Sequence, residues 1–115
     1  MTKGTTQKQL AQAFRAQEGG DLAEAQCCYA SVLQEQSSNP QANHGLGAIA
    51  AASGQLNTAI SYFKVAVEAQ PETEEYWVSL IDTLFEHGDF DAASAAFETG
   101  RRNGVIVENL SVLES

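Results

Sequence analysis

The sequence predicts an all-α fold in which three helix–turn–helix units stack side by side and a short last helix covers the end. Three observations carry this. Turn signals recur in register at Gly20-Asp21-Leu22, Gly54-Gln55-Leu56 and Gly88-Asp89-Phe90, and the interval from Gly20 to Gly54 equals that from Gly54 to Gly88. Each turn is followed at fixed places by a small and then an aromatic residue: Ala25 and Tyr29, Ala59 and Phe63, Ala93 and Phe97. The segments between turns space their apolar residues for helices. Ala59, Ile60, Phe63, Ala66 and Val67 make one face, and Trp77, Leu80, Ile81 and Leu84 another, while no run alternates in the manner of a strand.

Taken in order, residues 1–5 are polar and are expected to form a disordered tail. A first helix is expected over 6–18. It stops before Gly20, because a helix that must reverse needs a left-handed residue, which glycine adopts without strain. The second spans 21–36, where Asp21 meets the unpaired amides of the first turn. Ala25 marks the close approach of the two axes, and Tyr29, one turn on, fills the widening gap. Pro40 opens a third helix over 40–53, since proline at the first helical position forfeits no hydrogen bond. Gly54 ends it, and a fourth helix follows over 56–70. After the joint at Pro71 a fifth runs over 73–87, with His87 placed to complement its C-terminus. The sixth covers 90–103 and stops at Gly104. Beyond it Val107, Leu110 and Leu113 fall three apart, which suggests a short capping helix over the open side of the last unit. The units are thus 6–39, 40–73 and 74–106, with a cap and tail at 107–115.

At 115 residues the chain has the length of one domain. Six basic against fifteen acidic side chains give a net charge of −9, a sign that repels phosphate backbones and anionic lipid, so neither nucleic acid nor a membrane is an expected partner. The charge is uneven. Lys3, Lys8 and Arg15 precede the first acid, Glu18, whereas Glu72, Glu74, Glu75, Asp82, Glu86, Asp89, Asp91 and Glu98 follow one another with no intervening cation. No apolar run approaches the roughly 18 residues of a membrane span, and Met1–Gln9 lacks the apolar centre of a secretory signal. The cytoplasm is therefore the default location, with the periplasm left open. Cys27 and Cys28 are adjacent, pointing about 100° apart on a helix, which is poor geometry for a disulfide.

Catalytic and metal chemistry lack the residues they need, so no catalytic, cofactor or metal site is expected. His44 and His87 are the only histidines and neither forms a zinc spacing with Cys27 and Cys28. Gly45-Leu46-Gly47 has no following lysine for a phosphate loop and reads as helix packing. Ser53-Gly54 is a turn, and Arg101-Arg102 falls short of a nucleic-acid patch.

These residues resemble the tetratricopeptide repeat, a helix–turn–helix unit of about 34 residues. The third copy matches through Trp77, Leu80, Leu84, Gly88, Ala93 and Phe97, and the second through Leu46, Gly47, Gly54, Ala59, Phe63, Ala66 and Pro71. The first is carried by Gly20, Ala25 and Tyr29, with Gln9 and Gln12 at places normally apolar. Gly100 stands for a late alanine and Val105 for a closing proline. The resemblance implies a right-handed superhelix whose first helices line a concave groove for partner peptides. Carried over position by position, that groove presents Leu10, Phe14 and Gln17, then Gln41, His44, Ala48 and Ala51, then Glu75, Val78, Asp82 and Phe85. In one subset of the family, basic and asparagine side chains in the groove receive the carboxylate tail of heat-shock chaperones. Here those places hold Leu10, Phe14, Gly45, Glu75 and Ser79, so that ligand is not expected.

The expected function is a protein-interaction module that binds a peptide or helix of basic character, since the groove is apolar at one end and acidic at the other. One alternative is self-association, with the basic head of one copy against the acidic last third of another. Another is a place at the front of a larger enzyme, because Arg101-Arg102-Asn103-Gly104-Val105 with Leu110 and Leu113 resembles the linker to bacterial glycosyltransferase, sulfotransferase or methyltransferase domains.

Overall fold

The structure, a computed structural model, describes residues 3–105, with side chains from Thr5 onward. The capping helix expected over 107–115 and the first two residues of the tail lie outside the described residues. Within them are six α-helices and no strand: α1 Lys3–Glu18, α2 Leu22–Glu35, α3 Pro40–Ala52, α4 Leu56–Ala69, α5 Glu74–Glu86 and α6 Phe90–Arg102. They agree with the expected spans to within a residue or so, except that α1 begins at Lys3 and takes in residues assigned above to a disordered tail.

Each helix pair reverses through the same closure. Gly20, Gly54 and Gly88 adopt φ of 86°, 79° and 88°. The next residue then donates its backbone N–H five residues back: Asp21 to Ala16 at 2.8 Å, Gln55 to Ala50 at 2.9 Å and Asp89 to Leu84 at 3.0 Å. Otherwise orphaned carbonyls at the helix end are satisfied in this way. Gly104, at φ 81°, closes α6 alike, and Val105 donates to Gly100 at 3.0 Å. A proline at 105 could not make that bond.

Helix starts are less uniform. Asp21 accepts from the Glu24 amide and Asp89 from the Ala92 amide, both at 3.2 Å, and Asn39 accepts from Ala42 at 2.9 Å. Gln55, in the equivalent place before α4, makes no such bond. A glutamine carries its oxygen one carbon too far to fold back on its own turn. Gln55→Asp should therefore raise the unfolding free energy by about 0.5–1 kcal/mol. An unchanged midpoint in urea denaturation would show that the first turn of α4 gains nothing from a cap.

The joints between pairs also repeat. The Gln36 side chain accepts from Asn39 Nδ2 at 3.0 Å, and Gln70 Nε2 donates to Thr73 Oγ1 at 2.6 Å. In each case a glutamine ending one helix holds the residue that begins the next. From the following helix Asn43 Nδ2 donates to the Ser37 carbonyl at 3.2 Å, and Trp77 Nε1 donates to the Pro71 carbonyl at 2.7 Å. Both latches reach back across a joint by the same number of residues, and they stand one repeat apart.

Apolar surface is buried in two consecutive clusters. One joins Leu10, Ala13, Tyr29, Val32, Leu46 and Ile49 from α1 to α3. The other runs from Ala50 through Ile60, Phe63, Trp77, Ile81 and Leu84 to Val105. Ala25 and Ala59 are wholly buried and Ala93 nearly so, which fits their expected place at the closest approach of paired helices. Leu80 is buried too, and Phe97 packs half-buried against the second cluster. Glycines let the rings in: a Cβ on Gly45 would collide with the Tyr29 ring, and one on Gly47 would lie 2.5 Å from Phe63 Cε1. Gly100 meets the Trp77 ring, where a Cβ would sit 3.3 Å from Cδ2.

Candidate functional site

The first helices of the three pairs, α1, α3 and α5, share the inner side of the array. Between them lies a hollow of about 570 Å³. Its walls are Gln7, Leu10, Ala11, Phe14 and Gln17 of α1, Gln41, His44, Gly45 and Ala48 of α3, and Glu75 and Tyr76 of α5, with Tyr29 of α2 at the back. Small residues at 45 and 48 keep α3 low, so the hollow passes across it from α1 to α5.

The hollow brings together seven of the side chains expected in a groove: Leu10, Phe14, Gln17, Gln41, His44, Ala48 and Glu75. Ala51, Val78, Asp82 and Phe85 are not among these walls. Ala51 and Val78 are half-buried and pack against the second apolar cluster. Phe85, 41% exposed, sets its ring edge-on to Phe90 with centroids 4.9 Å apart, near the last turn. Asp82 is half-buried, and its Oδ1 is buried without a partner. Burial first, then the neighbouring Glu86, raises the Asp82 carboxyl above the ordinary carboxylate value. Gln7, Ala11, Tyr29 and Tyr76 were not expected in the walls, and Gly45 was named only as a place where one subset of the family holds a carboxylate. The period could have found Gln7, which stands one repeat before Gln41.

Phe14 is 58% exposed, and its ring belongs to neither apolar cluster of the described residues. Gln17 is held instead: its Oε1 accepts from the Tyr29 hydroxyl at 2.7 Å. His44 is bound from three sides. Its ring centroid lies 5.3 Å from that of Phe63 and 4.9 Å from that of Tyr76, and Nε2 stands 2.8 Å from Ser79 Oγ on α5. Burial lowers the imidazole pKa, and Glu75, at the start of α5, only partly opposes this. At neutral pH His44 is therefore uncharged, which leaves Glu75 as the one charged side chain in the walls of the hollow. His87 is exposed at the end of α5, where its backbone N–H, not its ring, makes the capping bonds to Thr83 and Phe85.

A pH dependence follows from His44. Its folded-state pKa lies below the unfolded value near 6.5, so between the two the unfolded chain binds more protons. Its contribution is complete above 6.5, is lost as pH falls through that value, and levels off below the lowered folded value. His44→Gln should remove this part of the slope in urea titrations between pH 8 and about 5. Parallel profiles for the two proteins would mean that the imidazole titrates as freely in the fold as outside it.

No group of three or more His, Cys, Asp or Glu among the described residues is placed to hold a metal. Cys27 is exposed, Cys28 is half-buried, and both are free thiols. Burial, then Glu24, then Cys27 raise the Cys28 pKa, which works against thiolate reactivity.

A family model, described as tetratricopeptide repeat, matches residues 10–73. The chain belongs to the tetratricopeptide repeat family. Two solved structures share the repeat architecture. The Sgt2 tetratricopeptide domain from Aspergillus fumigatus superposes with a TM-score of 0.76 at 24% identity, over 91% of this chain and 71% of that one. A K341M mutant of the O-GlcNAc transferase from Thermobaculum terrenum superposes with a TM-score of 0.78 at 24% identity, over 87% of this chain. The match covers only 20% of the transferase chain. At such identities the likeness is one of fold. No curated protein sequence matches. As a tetratricopeptide array the chain has the fold of a protein-interaction scaffold, and among the described residues no helix is long and apolar enough to cross a membrane.

Proposed function

We propose that the chain binds a short segment of a partner protein in the hollow between α1, α3 and α5, and that this segment carries a cation and an apolar side chain. The observation behind it is the pairing, within one hollow, of an exposed aromatic ring at Phe14 with a single carboxylate at Glu75. An exposed ring recovers apolar contact only from a ligand, at about 25 cal/mol for each Å² covered. A lone carboxylate in a neutral concave surface favours Lys or Arg and disfavours a second acid. Surplus acids elsewhere on α5 and α6 extend the field that draws such a segment in.

The test is a random peptide library panned against the intact chain. Enriched peptides should carry Lys or Arg together with an apolar residue. Phe14→Ala and Glu75→Lys should each weaken them at least tenfold, by about 1.4 kcal/mol or more. Both side chains are exposed, so Phe14→Ala should keep its unfolding free energy within about 0.5 kcal/mol, and Glu75→Lys, which reverses a charge in the first turn of α5, should lose no more than about 1–2 kcal/mol. Enriched peptides that bind the two variants as tightly as the parent chain would place the ligand elsewhere.

A further inference from the structure

The turn between α5 and α6 carries an arrangement that the other two pairs lack. Phe85, near the end of α5, is 41% exposed, and Phe90, the first residue of α6, is 57% exposed. Their rings meet edge to face at 62° with centroids 4.9 Å apart, and neither ring belongs to an apolar cluster of the described residues. Asp82 stands one helical turn before Phe85 and Glu86 and so shares their side of α5. Ala48 and Ala51 hold the places of Asp82 and Phe85 on α3, and Phe14 and Gln17 hold them on α1. The arrangement is therefore made by the third pair alone.

Asp82 is also out of balance with its surroundings. Its Oδ1 is buried with no hydrogen-bond donor among the described residues. Burial, and after it Glu86, raise the carboxyl pKa. No Lys or Arg occurs between Lys64 and Arg101, so neither α5 nor the start of α6 supplies a cation to offset it. A carboxylate that neither water nor a protein donor fully solvates exerts a stronger field than one in open water. Exposed aromatic faces attract cations as well.

The two features suit the same partner: a flat cation whose face covers a ring while its edge donates to carboxylate oxygens. Guanidinium meets both needs, whereas an ammonium is compact, strongly hydrated and without a flat face. We propose that Phe85, Phe90, Asp82 and Glu86 form a site for an arginine side chain of a partner protein. None of the four walls the hollow between α1, α3 and α5, so the site stands independently of the peptide reading above. The chain's own residues beyond Val105 cannot supply the cation, since they include Glu108 and Glu114 and no Lys or Arg.

The experiment is an NMR titration of the intact chain's backbone amides at low salt. The probes are acetylated, amidated Gly-Arg-Gly and its counterparts with lysine or citrulline in the centre. The arginine peptide should shift amides from Asp82 to Asp91. It should bind about tenfold tighter than the citrulline peptide, which keeps the shape without the charge, and about threefold tighter than the lysine peptide. Asp82→Asn, and Phe85→Ala combined with Phe90→Ala, should each reduce arginine binding to the citrulline level, while Phe14→Ala leaves it unchanged. Shifts that map to the hollow and vanish in Phe14→Ala would move the arginine there, sinking this site and supporting that one. Citrulline binding as tightly as arginine, or arginine binding that survives both the Asp82 and the phenylalanine variants, would overturn the site outright. Lysine binding as tightly as arginine would reduce it to a diffuse acidic surface and remove the guanidinium assignment. If the double phenylalanine variant melts more than about 10 °C below the parent, as for the loss of buried rings, the rings serve packing by residues beyond Val105 and the proposal fails.

Discussion

Trp77→Ala should destabilise the chain by about 3–5 kcal/mol, the range for emptying a buried aromatic site. The indole is 4% exposed, and its face lies against Gly100 of α6. No side chain at 100 can lean in to fill the void, so the site collapses poorly. Its Nε1 also donates to the Pro71 carbonyl at 2.7 Å, across the joint that seats α5 on α4. One residue thus pins α5 to the preceding pair and to its own partner. Since α5 and α6 form the last pair of the described array, and repeat stability is a sum of local terms and neighbour interfaces, the damage should be local. Amides of α5 and α6 should lose hydrogen-exchange protection while α1 to α4 keep theirs. Trp77→Phe, which retains most of the packing but not the donor, should recover all but about 1–2 kcal/mol. A loss spread evenly over all six helices would show one cooperative core and no separable last pair.

Gly45→Ala should cost about 2–3 kcal/mol, although alanine is the better helix former. Helix propensity alone predicts the opposite sign, by about 1 kcal/mol in alanine's favour. Packing should win because the added methyl collides with the Tyr29 ring. That ring is 4% exposed and tethered through its hydroxyl to Gln17 at 2.7 Å. To make room, Tyr29 must leave its place or α3 must move away from α2. A double-mutant cycle separates this from a backbone effect: in a Tyr29→Leu background the methyl should be tolerated, with a coupling of about 1–2 kcal/mol. Additive losses in urea denaturation would mean that the ring is not what excludes a side chain at 45. Because Tyr29 and Gly45 both wall the hollow, the same substitution should also weaken peptides selected against the parent chain.

These two sites show how much could be read in advance. Gly45 was read as helix packing because it lacks a following lysine, and it does pack, but nothing local says that Tyr29 is the ring it meets. Trp77 was placed by periodicity, while its bond to Pro71 was not. That bond and its counterpart from Asn43 to Ser37 were legible in principle, since donors and carbonyls both recur at the interval of the glycines. Polar columns such as Gln36 with Gln70, or Gln7 with Gln41, recur at the same interval, but a polar residue does not by itself mark a core face or a turn. Of the side chains expected along a groove, Ala51 of α3 and Val78 of α5 are drawn into the packing and Asp82 is half-buried, while Leu10, Phe14, Gln17, Gln41, His44, Ala48 and Glu75 line the hollow.

By itself the sequence determined the six helices, the left-handed glycines that end four of them and the order of the pairs. Each of these is settled within a few residues, by backbone conformation and by which amides and carbonyls a neighbour can satisfy. Only the tertiary structure decided which inner side chains remain free. Exposure depends on how closely two helices approach, and that spacing is set by the summed bulk of residues a whole repeat apart in the chain. On the inner side Phe14 is left bare while Leu10, one turn before it on α1, is buried and Val78 of α5 is half-buried against the second cluster.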